Sequence, residues 1–357
     1  MLIKGNHLSL DTIERMLVMQ LGDIGDVVLT TPALKALKET CPGIKIMLLL
    51  REHAEGLMRG CPWVDGVVSL RRPRKRWGEE LAYQKELLSR LRKEKFDLTV
   101  DLRTGTRGAI LSFMSGARWR IGRFADDGPV WRNSLFTHLV KPQNELYEYS
   151  TLHNFNILAP FQLLRLEDPT PKLVLTAGIN RRAAHILRSE GIPDNRPIIA
   201  LHPFSRWSYK EWPIDNYGAL IDYIRSRKKC SIIITGSSGD VERFAELDLD
   251  NKGDVYCLTG KTSLDELAGI LRKCDLLIGI DSAPIHIAAA VGTPTVTIFG
   301  PSSPTCWAPR GEHHDIIFKD LPCIPCRQKG CNNSESSRCL KELTLAEILP
   351  IIDRRLA

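Results

Sequence analysis

The first residues that could carry chemistry form a loop of glycines and aspartates, Gly22-Asp23-Ile24-Gly25-Asp26, after an apolar stretch. Its GxxGD spacing differs from the GxGxxG of a dinucleotide-binding turn, and its two carboxylates would repel a phosphate. Asp26 could cap the helix that follows by accepting backbone N–H groups. It could instead be a general base that takes a proton from a hydroxyl. Asp23 would then shape the turn or orient Asp26.

A second loop, HPFSRWSYKEWP at 202–213, offers hydroxyls and cations directly after a predicted strand. Ser205 and Lys210 suit a diphosphate, because the hydroxyl supplies a hydrogen-bond donor and the ammonium a point charge at the carboxyl end of a strand. Arg206 is a further cation in this loop. The alternative is a surface loop whose two tryptophans pack onto the protein, and the length and polarity of the loop weaken that alternative.

A third group lies at the start of an Ala-rich helix, within GIDSAPIHIAAAVGTPTVTIFGP at 279–301. Asp281 and Ser282 precede the helix, and Pro284 falls in its first turn, where Pro is favoured. Backbone N–H groups and the helix dipole make such a start a ready anion site. His286 is either structural or a donor beside the anion. Asp281 would repel phosphate, so we expect it to cap the helix or to bind sugar hydroxyls.

A fourth segment, TGSSGD from Thr235 to Asp240, also follows a strand and leads into a helix. A strand that ends in Gly and Ser leaves room for a ligand close to the backbone. Gly236 could therefore border the adenine or the ribose of a nucleotide.

The chain contains ten cysteines, and four of them cluster near its end in the pattern CxxC-x4-C-x7-C. In a cytosolic protein such a cluster raises a zinc site or a redox pair. The spacing does not match the usual paired CxxC knuckles of zinc proteins, and the alternative is a loop of reduced thiols. The four residues are Cys323, Cys326, Cys331 and Cys339.

The net charge of +7 comes from one segment, because residues 51–132 hold 18 Lys and Arg against 11 Asp and Glu. The densest run is either a solvated loop or a landing site for an anionic partner, such as a phosphorylated acceptor or a membrane surface. No nucleic-acid-binding motif is recognisable, so we expect no nucleic acid partner. The basic residues of this run are Arg71, Arg72, Arg74, Lys75 and Arg76.

Apolar runs alternate with helix-length amphipathic stretches throughout the 357 residues, which predicts parallel β-α units. One helix is predicted near Pro32–Thr40. The pattern restarts after a Pro-rich stretch, so we expect two doubly wound α/β domains that face each other across a cleft, at 1–165 and 176–357, joined by a linker at 166–175. The N-terminus lacks the apolar core of a signal peptide, which predicts a cytoplasmic protein.

Three segments together resemble glycosyltransferase family 9, the heptosyltransferases that build the inner core of bacterial lipopolysaccharide. They are GDIGDVVLTTPALKALK, HPFSRWSYKEWP and DSAPIHIAAAVGTPTVTIFGPSSPTCWAP. They occur in the order of the family, and the resemblance covers nearly the whole chain. The Cys-bearing CIPCRQKGCNNSESSRCL also resembles the tail of the heptosyltransferase III type. An N-terminal extension of about fifteen residues departs from the family and has no assigned role.

The resemblance implies a GT-B fold of two Rossmann-like domains, in which the first binds the acceptor and the second the nucleotide sugar. It implies ADP-L-glycero-D-manno-heptose as donor, inversion at the anomeric carbon, and no required metal or cofactor. By position, Asp26 matches the general base of the family. Ser205 and Lys210 match diphosphate-binding positions, and Asp281, Ser282 and Ala283 match the donor loop.

The expected acceptor is an anionic, lipid-anchored saccharide, so the basic run is predicted to dock the protein at the inner face of the inner membrane. The C-terminal helix is predicted to pack back on the first domain. The alternative function is a GT-B transferase that uses another nucleotide sugar for a different cell-surface glycan, because a fold does not fix a substrate.

Overall fold

The computed structural model describes residues 1–6, 8, 12–73, 76–163, 168–247 and 253–357. The chain divides into two compact units, Met1–Val174 and Leu175–Ala357. The division falls in the stretch 166–175 that the sequence predicts as a linker, of which residues 166 and 167 lie outside the described part. The roles predicted for the two units, acceptor binding and donor binding, stay predictions at this point.

The first unit is built on a seven-stranded sheet in the order β1-β7-β6-β5-β2-β3-β4. All neighbouring strands are parallel except β1 and β7, which are antiparallel. The central strands are apolar and buried, as expected of a sheet that helices cover on both faces. The strands are β1 (Leu2–Lys4), β2 (Arg15–Gln20), β3 (Lys45–Arg51), β4 (Gly66–Leu70), β5 (Leu98–Asp101), β6 (Trp119–Arg123) and β7 (His138–Val140).

Six helices cover this sheet. Right-handed crossovers place helices on opposite faces when the chain changes direction across a sheet. The helix contacts agree with a sheet that is covered on two faces. Helix α1 packs against α6, whereas α3 packs against α4 and α4 packs against α5. The helices are α1 (Ile24–Thr40), α2 (Glu55–Met58), α3 (Trp77–Lys93), α4 (Thr106–Met114), α5 (Val130–Ser134) and α6 (Ser150–Leu158).

The N-terminal extension belongs to this sheet. Strand β1 adds to the edge of the sheet through antiparallel pairing with β7, and the Nζ of Lys4 donates to the carbonyl of Phe136 at 2.5 Å. No role for this segment was predicted from the sequence, and in the structure its first residues form an edge strand.

The second unit is built on a six-stranded parallel sheet in the order β10-β9-β8-β11-β12-β13. Its central strands are continuous apolar runs and fully buried, which is typical of parallel sheets. The strands are β8 (Ile198–His202), β9 (Ser231–Ile234), β10 (Val255–Cys257), β11 (Leu276–Ile280), β12 (Thr295–Phe299) and β13 (His314–Phe318).

The helices of the second unit include the C-terminal one, α14, which packs against α8 and buries Ile348, Ile352 and Leu356 in the core of this unit. Its predicted packing against the first unit stays a prediction. Across the described ranges, no helix combines the length and the apolar character needed to span a bilayer. The helices are α7 (Ala177–Ser189), α8 (Ile214–Arg227), α9 (Val241–Phe244), α10 (Leu264–Leu271), α11 (Ala283–Ala290), α12 (Pro304–Trp307), α13 (Arg338–Lys341) and α14 (Leu345–Leu356).

Each sheet has one point at which the strand order reverses. In the first unit the chain runs outward from β2 to β3 and β4, and from β5 to β6 and β7, so the reversal lies between β2 and β5. In the second unit it lies between β8 and β11. Loops that follow two adjacent parallel strands leave the same edge of the sheet, and ligands of doubly wound folds bind there.

Helix α1 begins at Ile24, within the GxxGD segment, because this segment supplies a capping box. Asp23 is the N-cap residue and Asp26 the third helical residue. The side chain of Asp23 accepts from the backbone of Asp26, and the Asp23 N–H donates to Oδ2 of Asp26 at 2.9 Å. This reciprocal arrangement satisfies backbone donors that a helix start leaves unpaired. Gly22 is required beside it, because a Cβ there would lie 2.3 Å from the same Oδ2.

The prediction of a helix that starts near Pro32 was wrong, since α1 begins at Ile24 and Pro32 lies inside it. Pro lacks an N–H and leaves the carbonyl four residues earlier without its helical donor. Here the hydroxyl of Thr31 donates to that carbonyl, on Val28, at 2.7 Å. A neighbouring side chain thus replaces the missing backbone donor.

Gly22→Ala tests the close approach at the start of α1. The added Cβ would displace the Asp26 carboxylate from the Asp23 N–H, so we expect a loss of about 1–2 kcal/mol in the free energy of unfolding. Urea unfolding followed by circular dichroism measures it. Gly43→Ala is the matched control, because nothing lies within 4 Å of a Cβ at that position. Equal losses in the two variants would contradict the proposed contact.

Candidate functional site

Asp26 lies at the strand-order reversal of the first unit, and both oxygens of its carboxylate are engaged. Oδ2 accepts the cap hydrogen bond from the Asp23 N–H at 2.9 Å. Oδ1 accepts from the guanidinium of Arg103 at 2.9 Å. The carboxylate is 15% exposed, so it reaches solvent at this edge of the sheet. The sequence left capping and proton abstraction as alternatives for Asp26, and the structure assigns the cap to one oxygen only.

Arg103 is a site residue that the sequence reasoning missed. It lies in the loop after β5, and β5 pairs with β2 in parallel, so the two loops leave the sheet side by side. Its guanidinium is 47% exposed and forms the ion pair with Asp26. The available signal was a cation just past a predicted strand, in DLRTGT, but only the strand order shows that this strand is the neighbour of β2.

A buried pair beneath this loop fixes its main chain. Asp101 ends β5 and accepts the N–H of Arg103 on Oδ1 at 3.1 Å. Arg132 is fully buried, lies 3.5 Å from Oδ2 of Asp101, and donates to the carbonyl of Arg103 at 2.8 Å. Burial raises the pKa of Asp101 to about 7. The hydrogen bond from the Arg103 N–H and the charges of Arg132 and Arg103 lower this pKa but do not outweigh burial. The backbone of Arg103 is therefore held from both sides.

The reversal point of the second unit also carries an ion pair. Nζ of Lys210, from the loop after β8, donates to Oδ2 of Asp281 at 2.6 Å, directly after β11. Asp281 is 6% exposed and Lys210 24%. Burial works to raise the pKa of Asp281, but the Lys210 ammonium, His286 and the hydroxyl of Ser302 outweigh it and hold the pKa below its usual range. The Asp281 carboxylate thus holds the Lys210 ammonium at the place where the sequence predicts diphosphate binding.

The expectation that Asp281 caps the helix was wrong, and the alternative that it binds sugar hydroxyls stays a prediction. Ser282, not Asp281, is the N-cap residue of α11, which starts at Ala283. The Ser282 hydroxyl donates to the carbonyl of Ile280 at 3.2 Å. His286 is buried in the first turns and contributes to the low pKa of Asp281, so the structural reading of this histidine fits its position.

The loop at 202–213 combines packed and exposed residues. Trp212 is buried and donates to the carbonyl of Leu343 at 2.8 Å, whereas Trp207 is 39% exposed. Ser205 donates its N–H to Glu211 at 2.6 Å and accepts from the Trp207 N–H at 3.1 Å through its hydroxyl. Arg206 is exposed and lies over the ring of Trp207. The loop is ordered by its own contacts and keeps its cations at the surface.

Gly236 follows β9 and lies close to the residues of this loop. A Cβ at Gly236 would lie 2.8 Å from a methyl of Thr259 and 2.9 Å from the ring of Phe204. Packing alone thus requires a glycine here, and the predicted contact with a nucleotide stays a prediction.

Three residues of the predicted basic run are described, and they differ in exposure. Arg71 is partly buried, and its guanidinium stacks 4.0 Å from the centroid of Tyr83 and donates to the carbonyl of Glu79. Arg72 and Arg76 are exposed. Arg74 and Lys75 lie outside the described residues. The sequence could not show that Arg71 is committed to packing, because its partner lies on the next helix.

The four clustered cysteines line one cavity of about 260 Å³ beside Pro301 and Arg338. The ten cysteines, all within the described residues, form no disulfide, and burial raises the pKa of the Cys339 thiol to about 11. Within 323–339, all of which is described, and in the rest of the described chain, no group of three or more His, Cys, Asp or Glu is placed to hold a metal ion. The alternative of a zinc site therefore has no support in this geometry.

Comparison with known proteins explains why these residues occur together. The model of glycosyltransferase family 9 (heptosyltransferase) matches residues 85–336, more than half of the chain. Lipopolysaccharide heptosyltransferase 3 of Escherichia coli is 30% identical over 93% of this chain and 96% of its own length. Lipopolysaccharide heptosyltransferase 1 of Pseudomonas aeruginosa is 24% identical over 96% of this chain and 94% of its own.

Solved structures show the same fold. The E. coli ADP-heptose lipopolysaccharide heptosyltransferase II superposes with a TM-score of 0.79 at 19% identity, covering 96% of this chain and 98% of that one. The E. coli heptosyltransferase WaaC, solved with ADP-2-deoxy-2-fluoro heptose, gives 0.70 at 20% identity, over 95% of this chain and 99% of that one. The predicted GT-B class of two Rossmann-like domains is confirmed. The chain belongs to glycosyltransferase family 9, the heptosyltransferases.

Proposed function

We propose that this transferase moves L-glycero-D-manno-heptose from ADP-heptose to a saccharide of the lipopolysaccharide inner core, with inversion at the anomeric carbon. The observation that carries the proposal is the pair of strand-order reversals. At the first reversal lies the partly exposed carboxylate of Asp26. At the second, Lys210 lies beside the N-terminus of α11. The relatives named above are heptosyltransferases of lipopolysaccharide, and one was solved with an ADP-heptose analogue.

On the acceptor side, Asp26 is the general base. Glycosyl transfer places positive charge on the anomeric carbon, and an acceptor hydroxyl must lose its proton as it attacks. The hydrogen bond from the Asp23 N–H fixes the orientation of the carboxylate, so that Oδ1 has a defined position at the edge of the sheet. A general base must be held in position relative to the hydroxyl, and the cap hydrogen bond holds the Asp26 carboxylate in position.

On the donor side, Lys210 and the start of α11 receive the leaving diphosphate. The ammonium and the backbone N–H groups around Ala283 supply positive charge where negative charge develops. The buried Asp281 carboxylate holds Lys210 in place before the donor arrives. Ser205 and Arg206 extend this site along the same loop, and Gly236 borders the nucleoside. These groups can stabilise ADP as a leaving group through protein charges alone.

The acceptor is lipid-anchored, so the first unit should meet an anionic membrane surface. The exposed Arg72 and Arg76 support such a contact, and Trp77, which is 85% exposed, follows them directly. Basic side chains near an anionic bilayer attract it, and Trp favours the interface. Arg74 and Lys75 belong to the same run in sequence.

Asp26→Asn should lower kcat about 10²- to 10⁴-fold, because the amide cannot take the hydroxyl proton, while ADP affinity stays unchanged. ADP release from ADP-heptose in the presence of a truncated inner-core acceptor measures the rate, and calorimetry measures affinity. Asp126→Asn, which removes an exposed carboxylate of the same unit that pairs with Lys141, is the control. Wild-type turnover by Asp26→Asn would refute the assignment of the base, and a better UDP-sugar donor would refute the assignment of the donor.

Lys210→Ala should weaken ADP binding about 10- to 100-fold, the usual value of a hydrogen bond to a charged group. Isothermal calorimetry measures the change, and thermal unfolding is followed in parallel because the substitution leaves Asp281 buried without its cation. Lys261→Ala is the matched control, since Lys261 forms an ion pair of the same 2.6 Å length, with Glu190 in the same unit. If ADP bound Lys210→Ala as tightly as the wild type, the diphosphate role would be excluded.

Arg72→Glu/Arg76→Glu should reduce binding to vesicles that contain anionic phospholipid by at least about tenfold at low salt. Vesicle sedimentation measures binding, and the KM for a lipid-anchored acceptor should rise as well. Arg181→Glu/Arg188→Glu reverses two exposed charges of the second unit and serves as the control. Equal vesicle binding by both double variants would argue against docking through the basic run.

A further inference from the structure

The ion pair between Asp26 and Arg103 raises a question that the proposed function leaves open. Asp26 has one oxygen in the helix cap and the other on a guanidinium, each at 2.9 Å. A general base needs a lone pair that points at the acceptor hydroxyl. In this arrangement one of the two lone pairs of Oδ1 accepts from Arg103, so an acceptor hydroxyl would meet an oxygen that is already paired with a cation.

The contacts of Arg103 allow its side chain to leave Asp26 and pair with another anion. Its backbone is fixed on both sides by the buried Asp101 and Arg132, through the N–H and the carbonyl. Its side chain, in contrast, is 47% exposed. Ion pairs in contact with solvent contribute little stability, so a competing anion can displace one at small cost. The planar fork of a guanidinium also suits the two oxygens of a carboxylate or phosphate.

The neighbouring cations are committed elsewhere. Arg123 donates to Glu145 and to the carbonyl of His153, and Arg132 is fully buried. Arg51 lies on the other side of the GxxGD loop and pairs with Asp23 at 3.4 Å. Among the described residues, Arg103 is therefore the cation that contacts Asp26 itself while its side chain remains open to solvent.

We propose that Arg103 binds an oxyanion of the acceptor saccharide, a carboxylate or a phosphate, and by leaving Asp26 makes the base available. This inference rests on the proposed role of Asp26. With Arg103 on the acceptor, Oδ1 takes the proton of the hydroxyl, the hydroxyl oxygen bonds to the anomeric carbon, and the bond from that carbon to the diphosphate breaks, with its electron pair leaving on ADP. Arg103 stays protonated throughout.

The proposal makes Arg103 a specificity-determining residue whose effect appears in kcat as well as in KM. An acceptor that carries the oxyanion releases the base, whereas an acceptor without it leaves Arg103 on Asp26. We expect kcat to differ by about 10- to 100-fold between the two acceptors. With the oxyanion, Arg103 exchanges its hydrogen bond to Asp26 for one to the acceptor, whereas without it that hydrogen bond must be broken with no replacement.

The test uses the full-length enzyme, ADP-heptose, and a de-O-acylated inner-core oligosaccharide in three forms. The forms are native, phosphatase-treated and carboxyl-reduced, so that the arms distinguish phosphate from carboxylate as the group that Arg103 binds. The wild type should lose kcat on one of the two modified acceptors. Equal kcat on all three forms would overturn the proposal.

Arg103→Gln should remove the preference of the enzyme for the acceptor that carries the oxyanion. Its kcat on the acceptor without the oxyanion should equal or exceed that of the wild type, because the base is no longer paired, while kcat/KM on the native acceptor falls. Arg103→Lys should restore part of the discrimination. Arg51→Gln, which removes the neighbouring pair with Asp23, should discriminate as the wild type does.

The outcomes separate a structural role from the proposed one. If Arg103→Gln lost activity on all acceptors by the same factor, with the wild-type ratio of rates preserved, Arg103 would only support the loop and the proposal would fail. If the wild type released no ADP from ADP-heptose with any acceptor, the proposed function would itself fail. Transfer without discrimination defeats this inference alone.

Discussion

An ion pair joins the two loops that leave each sheet where its strand order reverses. Asp26 pairs with Arg103 across β2 and β5, and Lys210 pairs with Asp281 across β8 and β11. In doubly wound folds ligands bind at this point because neighbouring strands send their chains in opposite directions and leave a crevice. Both pairs hold a charge at the edge of the sheet before any substrate is present, so each half of the proposed reaction would begin from a positioned side chain.

The two pairs differ in exposure, and the difference assigns them different roles. Asp281 is 6% exposed, and its pKa lies below the usual range mainly because the Lys210 ammonium outweighs the effect of burial. Removing a buried partner is costly, so this pair suits a fixed support for the proposed diphosphate site. Arg103 is 47% exposed, and its ion pair can exchange at little cost. One pair is therefore suited to position a cation, and the other to the exchange proposed for Arg103.

The sequence predicted the parallel β-α units, because apolar periodicity is a local signal, but it did not predict strands β1, β6, β7 and β13. It did not predict Arg103, since that residue contacts Asp26 only through the pairing of β5 with β2, which is distant in sequence. The role of Asp281 was missed for the same reason. The start of α1 was misplaced because the compensation of Pro32 by the Thr31 hydroxyl is a side-chain detail that the rule for proline does not contain.

The geometry of Asp26 also makes capping compatible with the proposed catalysis, two roles that the sequence leaves as alternatives. A carboxylate has two oxygens, and the cap uses only Oδ2. Gly22 permits that contact, because any Cβ there would occupy the place of the oxygen. The cap keeps the side chain from rotating, so Oδ1 stays at the edge of the sheet whether or not Arg103 is bound to it. Helix capping thus orients the carboxylate that we propose as the base, and both roles would require the same residue at the third helical position.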